Sequence, residues 1–288
     1  MPFERVGIER VGIVGSGIMG AGIAEVAAAH GHAVVVRSRS QSSADAVVAA
    51  LETSLGRQVA KQRCTDEERD VILARVSVTT DLGALSDADL VIESIIEDLG
   101  AKRHLFTERD GICDERAVLS TNTSTLPVVE LAMETGRPDR VCGIHFFNPA
   151  PVMELVEVVR PITASDETIS AAVEFARACG KDPVEVKDRA GFVVNALLFP
   201  YLNDAVRLLE QGVATKEGID AAMRGGCNFP MGPLALLDLV GIDTSVAILD
   251  ALYAEYKDPR YAPAPLLRRM VAAEQLGRKS GTGFYSYR

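Results

Sequence analysis

The chain has 288 residues, 40 of them acidic and 30 basic, giving a formal net charge of −10. At roughly 100–200 residues per domain it holds one large domain or two modest ones. A composition of 48% hydrophobic and 24% charged residues excludes a disordered chain, and the acidic balance excludes the basic footprint of a nucleic-acid binder.

No stretch approaches the roughly 18 consecutive apolar residues of a membrane span. The first residues carry Glu4, Arg5, Glu9 and Arg10 and no apolar core of signal-peptide type. The five cysteines (Cys64, Cys113, Cys142, Cys179, Cys227) are scattered, odd in number and without CxxC spacing. Neither a disulfide framework nor a metal site is expected, and reduced thiols fit a cytoplasmic protein.

In chain order the predicted strands are Arg10–Val14, Ala33–Arg37, Val76–Thr80, Leu90–Ile95, Ala117–Thr121, Val141–Phe146, Glu154–Val159 and Pro183–Val186. Several are near-continuous apolar runs, as expected of strands buried on both faces of a parallel sheet. Helical patterns such as Ala21–His30 and Ser42–Lys61 lie between them. The alternation predicts an α/β fold, a Rossmann-type doubly wound, mostly parallel sheet. From about Asp188 the pattern turns helical, with predicted helices over Phe192–Gln211, Lys216–Met223, Pro233–Tyr256 and Pro265–Gln275. The expected organisation is a dinucleotide-binding domain over residues 1–188 and a smaller all-helical substrate-binding and dimerisation domain over 189–288. ERVGI occurs twice, at Glu4–Ile8 and Glu9–Ile13, and the first copy reads as an extension ahead of the first strand.

Residues Val11–Gly20 read VGIVGSGIMG. Gly15, Gly17 and Gly20 form G-x-G-x-x-G after a strand and at the head of a helix. The first glycine permits a tight turn, the second lets backbone approach a pyrophosphate, and the third permits close helix–strand packing. The helix N-terminus, at Ile18 and Met19, faces the phosphates. An NAD site usually carries Asp or Glu about 20 residues beyond the glycines to bond the ribose. That position is Ser38, between Arg37 and Arg39. A carboxylate there repels a 2′-phosphate, whereas an arginine pairs with one. NADP(H) is therefore favoured, with NAD(H) possible. The competing reading makes Arg37 and Arg39 solvated residues at the head of a helix.

His145 lies in GIHFFNP at the end of a predicted strand, and Glu157 lies twelve residues on in MELVEVV. Removing a hydroxyl proton during hydride transfer needs a base that titrates near neutrality and a carboxylate that orients it. Two adjacent strands joined by the Asn148–Val152 turn bring such a pair together. By spacing alone, a histidine on an apolar strand is more often a satisfied core residue.

The sequence resembles the L-3-hydroxyacyl-CoA dehydrogenases, in particular the short single-function bacterial 3-hydroxybutyryl-CoA dehydrogenases. The resemblance is carried by GSGIMGAGIAEVAA, IESIIEDLGAK, STNTSTLP, GIHFFNPAPVMELVEVV, DRAGFVVNALLFPYLNDAVRLLEQG, PMGPLALLDLVGIDT and LGRKSGTGFYSY. Together these span residues 11 to 287. The resemblance implies interconversion of (S)-3-hydroxyacyl-CoA and 3-ketoacyl-CoA with a nicotinamide cofactor. It implies that His145 is the catalytic histidine and Glu157 its partner, with Ser124 and Asn195 near the substrate oxygen. Glu97, Lys102, Asn122, Asn148 and Lys279 are implied as cofactor contacts, and Ser54 and Lys61 as the looser match to a CoA-binding helix. A homodimer through the C-terminal helices is implied. The family commonly has Asp where this chain has Ser38, which supports the NADP reading. Two other functions compete: dehydrogenation of a free hydroxy or sugar acid, and a non-catalytic dinucleotide sensor. The apolar HFFNPAPVM segment disfavours the first. The joint presence of His145, Glu157, Ser124 and Asn195 disfavours the second.

Overall fold

The computed structural model describes residues 7–287, so most of the first ERVGI copy lies outside the described residues. The chain divides into two compact units, one ending at Asp188 and the next beginning at Arg189.

The first unit runs β1 (Arg10–Val14), α1 (Ile18–Ala29), β2 (Ala33–Arg37), α2 (Gln41–Ala60), α3 (Asp66–Ala74), β3 (Val76–Thr79), β4 (Leu90–Glu93), α4 (Leu99–Asp110), β5 (Val118–Thr121), α5 (Val128–Ala132), β6 (Val141–Phe146), β7 (Leu155–Arg160), α6 (Asp166–Ala178) and β8 (Asp182–Lys187). The strands form one eight-stranded sheet in the order β3-β2-β1-β4-β5-β6-β7-β8. Neighbours are parallel except β6 and β7, which pair antiparallel. Apolar runs put whole strands in the interior: every residue of β4, β5 and β6 is buried. Val11, Ile13, Val34 and Ile92 of the sheet pack with Ile23 and Val26 of α1 and Phe175 of α6. The strand order reverses between β1 and β4, and ligands of such sheets bind outside the carboxyl ends at this switch. Gly15 follows β1 directly, and His145 is the penultimate residue of β6, so both lie at that end.

Local signals set several boundaries. α3 starts at a capping box between Thr65 and Glu68, so the acidic run Asp66–Asp70 is a solvated helix start. α1 begins at Ile18, three residues before the predicted start, because the glycine turn leads straight into helix.

The second unit comprises α7 (Val194–Glu210), α8 (Lys216–Cys227), α9 (Pro233–Val240), α10 (Ile242–Tyr256) and α11 (Pro265–Ala272) around a core that includes Phe199, Leu202, Leu234, Leu237, Leu249 and Leu252. The single helix expected over Pro233–Tyr256 is two helices. Gly241 has φ +104°, a conformation open to glycine, and it ends α9 and starts α10. The apolar periodicity continues across the break, which is why the sequence reads as one helix. Asp238 of α9 accepts the backbone N–H groups of Phe284 and Tyr285, each at 2.9 Å, and so fastens the GFY ending to this unit. No helix among the described residues is long and apolar enough to cross a membrane.

Candidate active site

The three glycines after β1 play different parts. Gly15 has φ +129°, and a Cβ there would lie 2.2 Å from the Ser94 carbonyl oxygen. A Cβ on Gly20 would lie 1.9 Å from the Gly15 carbonyl oxygen. Both positions are closed by backbone. Gly17 differs, because a Cβ there would meet nothing within 4 Å. The turn thus leaves an open cradle at Gly17, which is also the N-cap of α1 and provides no side-chain cap. The first N–H groups of α1 are left for an anion, as a pyrophosphate requires.

At the carboxyl end of β2, Ser38 is 1% exposed, and its hydroxyl has no hydrogen-bond partner among the described residues. Arg37 keeps a buried Nε that is likewise unpartnered. Arg39 is exposed. Three donor-bearing side chains therefore cluster where a ribose carboxylate partner usually stands.

His145 and Glu157 are direct partners in the β6–β7 register. The His145 Nδ1 lies 2.8 Å from Glu157 Oε2, with both side chains buried. If Nδ1–H donates to the carboxylate, Nε2 keeps its lone pair. Ser124 Oγ lies 3.1 Å from that Nε2 and can donate to it. The ring of Phe147 packs against the imidazole, with centroids 4.6 Å apart. A carboxylate, an imidazole and a hydroxyl thus form one hydrogen-bonded series that can accept a proton at Nε2 and stabilise the resulting cation.

Glu97 organises the loop that carries Ser124. Its Oε1 accepts the Thr123 hydroxyl at 2.5 Å, the Ser124 N–H at 2.9 Å and the Thr125 N–H at 3.2 Å. Burial opposes its charge, but the Lys102 ammonium and the donors of Thr123 and Ser124 outweigh it, so the carboxyl lies below its ordinary value.

A family model described as 3-hydroxyacyl-CoA dehydrogenase, NAD binding domain, matches residues 10–189, and one described as 3-hydroxyacyl-CoA dehydrogenase, C-terminal domain, matches residues 191–287. The chain is 48% identical to a 3-hydroxybutyryl-CoA dehydrogenase of Mycobacterium tuberculosis over 92% of this chain and 93% of that one. It is 46% identical to a Clostridioides difficile protein of the same name over 89% of this chain and 92% of that one. The crystal structure of M. tuberculosis FadB2 superposes with a TM-score of 0.97 at 48% identity, covering 98% of this chain and all 100% of that one. The chain belongs to the 3-hydroxyacyl-CoA dehydrogenase family. It is an oxidoreductase that interconverts 3-hydroxyacyl-CoA and 3-ketoacyl-CoA, and it works with a nicotinamide cofactor.

The residues expected to bind ligand in this 3-hydroxyacyl-CoA dehydrogenase differ in their surroundings. Lys102 is 1% exposed, with its ammonium 2.7 Å from Glu93 Oε1 and 3.3 Å from Glu97 Oε2. The expected cofactor contact is turned inward, because two carboxylates compensate its charge where it lies. Ser54 is half-buried on α2, the helix whose Gln58 amide donates to the buried Glu25 of α1 at 2.6 Å. Lys61 is exposed just after α2. Asn122 Oδ1 accepts the Phe146 N–H at 2.8 Å, tying the end of β5 to β6. Asn148 is exposed in the turn after β6. Asn195 and Lys279 belong to the second unit, Asn195 in the first turn of α7 and Lys279 with its ammonium 2.6 Å from Asp243 Oδ2. Sequence reasoning missed Glu93, Thr121, Thr123 and the stacking of Phe147. A carboxylate inside the apolar run LVIE is the one signal that pointed to Glu93.

Proposed function

We propose that this dehydrogenase interconverts (S)-3-hydroxybutyryl-CoA and acetoacetyl-CoA in the cytoplasm, with NADP(H) favoured over NAD(H). The observation that carries the reading is the Ser124–His145–Glu157 series, a base, its orienting carboxylate and a hydroxyl that can bond the substrate oxygen. The four-carbon substrate rests on the names of the relatives at 46% and 48% identity.

The open cradle at Gly17, with Gly15, Gly20 and the N–H groups of Ile18 and Met19, would hold the pyrophosphate. Ser38 and Arg39 would meet a 2′-phosphate, and Glu97, Asn122, Asn148 and Lys279 would complete the cofactor contacts. A nicotinamide held there would supply the hydride acceptor for C3 of the hydroxyacyl chain in oxidation and the hydride donor in reduction. In oxidation His145 Nε2 takes the proton of the 3-hydroxyl, and Glu157 stabilises the imidazolium. In reduction the imidazolium gives that proton to the oxygen at C3. Ser124 holds that oxygen, and Asn195 has the orienting role the family resemblance implies. Lys61 is left as the candidate for CoA.

A homodimer through the helical unit is part of the reading. Val193, Leu197 and Leu208 are 47%, 72% and 42% exposed. They recur on one face of α7 and its N-cap, together with the half-buried Tyr201. Such a stripe is what a partner helix buries.

The test is the initial rate of acetoacetyl-CoA reduction with NADPH and with NADH at matched concentrations. Faster reduction with NADPH supports the whole reading. Equal or faster reduction with NADH removes the roles of Ser38 and Arg39 and leaves the rest. No rate with either cofactor removes the acetoacetyl-CoA assignment.

A further inference from the structure

Behind the loop that carries Ser124 lies a carboxylate, Glu93, with no part in the reaction as described so far. Glu93 is fully buried at the end of β4. Its Oε1 accepts the Lys102 ammonium at 2.7 Å and the Ile95 N–H at 2.6 Å, and its Oε2 accepts the Thr121 hydroxyl at 2.6 Å. Thr121 Oγ1 in turn accepts the Thr123 N–H at 3.2 Å. The other side of Lys102 faces Glu97, which receives the Thr123 hydroxyl and the Ser124 N–H. Two routes therefore run from Glu93 to Ser124, one through Thr121 and Thr123, the other through Lys102 and Glu97. A buried charge is costly unless it is paired and hydrogen-bonded. All three acceptor contacts of Glu93 are made inside the protein. Arg109 lies two turns beyond Lys102 on the same buried face of α4, fully buried and over the Phe106 ring at 4.1 Å. Burial pushes its guanidinium down to about 10, against the pull of the Glu93 carboxylate.

We propose that Glu93 is a positioning residue for the reaction, holding the Ser124 hydroxyl against His145 Nε2 through Thr121 and through the Lys102–Glu97 pair. The inference rests on the reading of Ser124 and His145 as reacting groups. Ser124 sits on a loop outside the sheet, and its distance from the imidazole depends on what ties that loop down. Glu93 belongs to the sheet interior and carries the rigidity of β4 and β5 outward to it. A misplacement of about 1 Å costs up to about a hundredfold in rate, so such an anchor is felt in turnover.

The experiment is a double-mutant cycle on the purified enzyme, with kcat and KM for acetoacetyl-CoA measured for Glu93→Gln, Ser124→Ala and the double variant. Glu93→Gln is expected to lower kcat about tenfold with KM within about twofold. In the Ser124→Ala background the same change is expected to cost less than about twofold, because the group it positions is gone. Equal fold-losses in both backgrounds overturn the inference and leave the reading of Ser124 standing. A Ser124→Ala enzyme with unchanged kcat overturns that reading itself, and the inference with it. Thr121→Val removes the hydroxyl that joins Glu93 to the Thr123 N–H and repeats the cycle should Glu93→Gln fail to fold. A kcat loss confined to the Ser124 background then supports the inference, and an additive one overturns it.

Discussion

His145 and Glu157 stand directly opposite each other across the antiparallel pair β6–β7, with 2.8 Å between imidazole Nδ1 and carboxylate oxygen. The contact is a property of the backbone register, since directly opposed residues in such a pair have Cβ atoms about 4.5–5.5 Å apart. His145→Ala should lower kcat for acetoacetyl-CoA reduction by about 10²–10⁴-fold, the usual contribution of a general acid–base. Glu157→Gln should lower it by a smaller factor, because Nε2 remains while the imidazolium loses its counter-charge. Initial rates at saturating substrate check both.

The proposed preference for NADP(H) rests on the end of β2. Arg39→Ala should raise KM for NADPH about ten- to a hundredfold, in line with roughly 1.5–3 kcal/mol for a charge-assisted hydrogen bond. KM for NADH should change little. Ser38→Asp should reverse the preference, because a carboxylate repels the 2′-phosphate and bonds the ribose hydroxyls. Paired titrations with the two cofactors read both effects, and an unchanged ratio in both variants removes the 2′-phosphate site from this loop.

The glycines of the turn separate folding from binding. Gly20→Ala drives a Cβ into the Gly15 carbonyl and should lower thermal stability. Gly17→Ala meets open space and should leave the melting temperature unchanged, while raising KM for the cofactor. Thermal melts and cofactor titrations of the two variants distinguish the outcomes.

Glu97 makes part of the stability depend on acid. Its folded carboxyl lies below its ordinary value: burial opposes the charge, and Lys102, Thr123 and Ser124 outweigh it. Between the folded value and the unfolded one near about 4.3, the unfolded chain binds the extra proton. The contribution is therefore complete above that unfolded value and is lost as the pH falls through the folded one. Wild type should melt above Glu97→Gln near neutrality, and the gap should close as the pH falls below about 4. A gap independent of pH removes this role.

The apolar stripe on α7 predicts assembly. On the proposed homodimer reading, wild type sediments as a dimer, and Leu197→Arg should sediment as a monomer in analytical ultracentrifugation with its far-ultraviolet dichroism intact. A sedimentation coefficient unchanged from wild type places the interface elsewhere.

Much of the first unit is readable from residue order. Arg10–Val14, Ala33–Arg37 and Val141–Phe146 are strands over the predicted ranges, because buried parallel strands are apolar on both faces. The His145–Glu157 contact is readable as well, since a short connection between adjacent strands leaves few registers. The support behind Ser124 is not. Lys102 and Arg109 occupy the buried face of α4 among Leu105 and Phe106, and charged residues at helical spacing read as a solvated face. Their burial depends on Glu93 and Glu97, which arrive from another segment. Gly241 escapes notice because an unusual φ leaves no mark in an otherwise apolar helical pattern.

β7, which carries Glu157, is flanked by β6 on one side and β8 on the other. Its backbone amides alternate between two ladders, so the whole strand exchanges with solvent deuterium only when both are open. Such strands open only near the free energy of global unfolding. The acid–base pair therefore sits on interior strands of the sheet, among the slowly exchanging parts of its unit. Activity assayed at one fixed temperature after successive heating steps should hold constant until the whole sheet gives way, so inactivation and cooperative melting of this unit coincide.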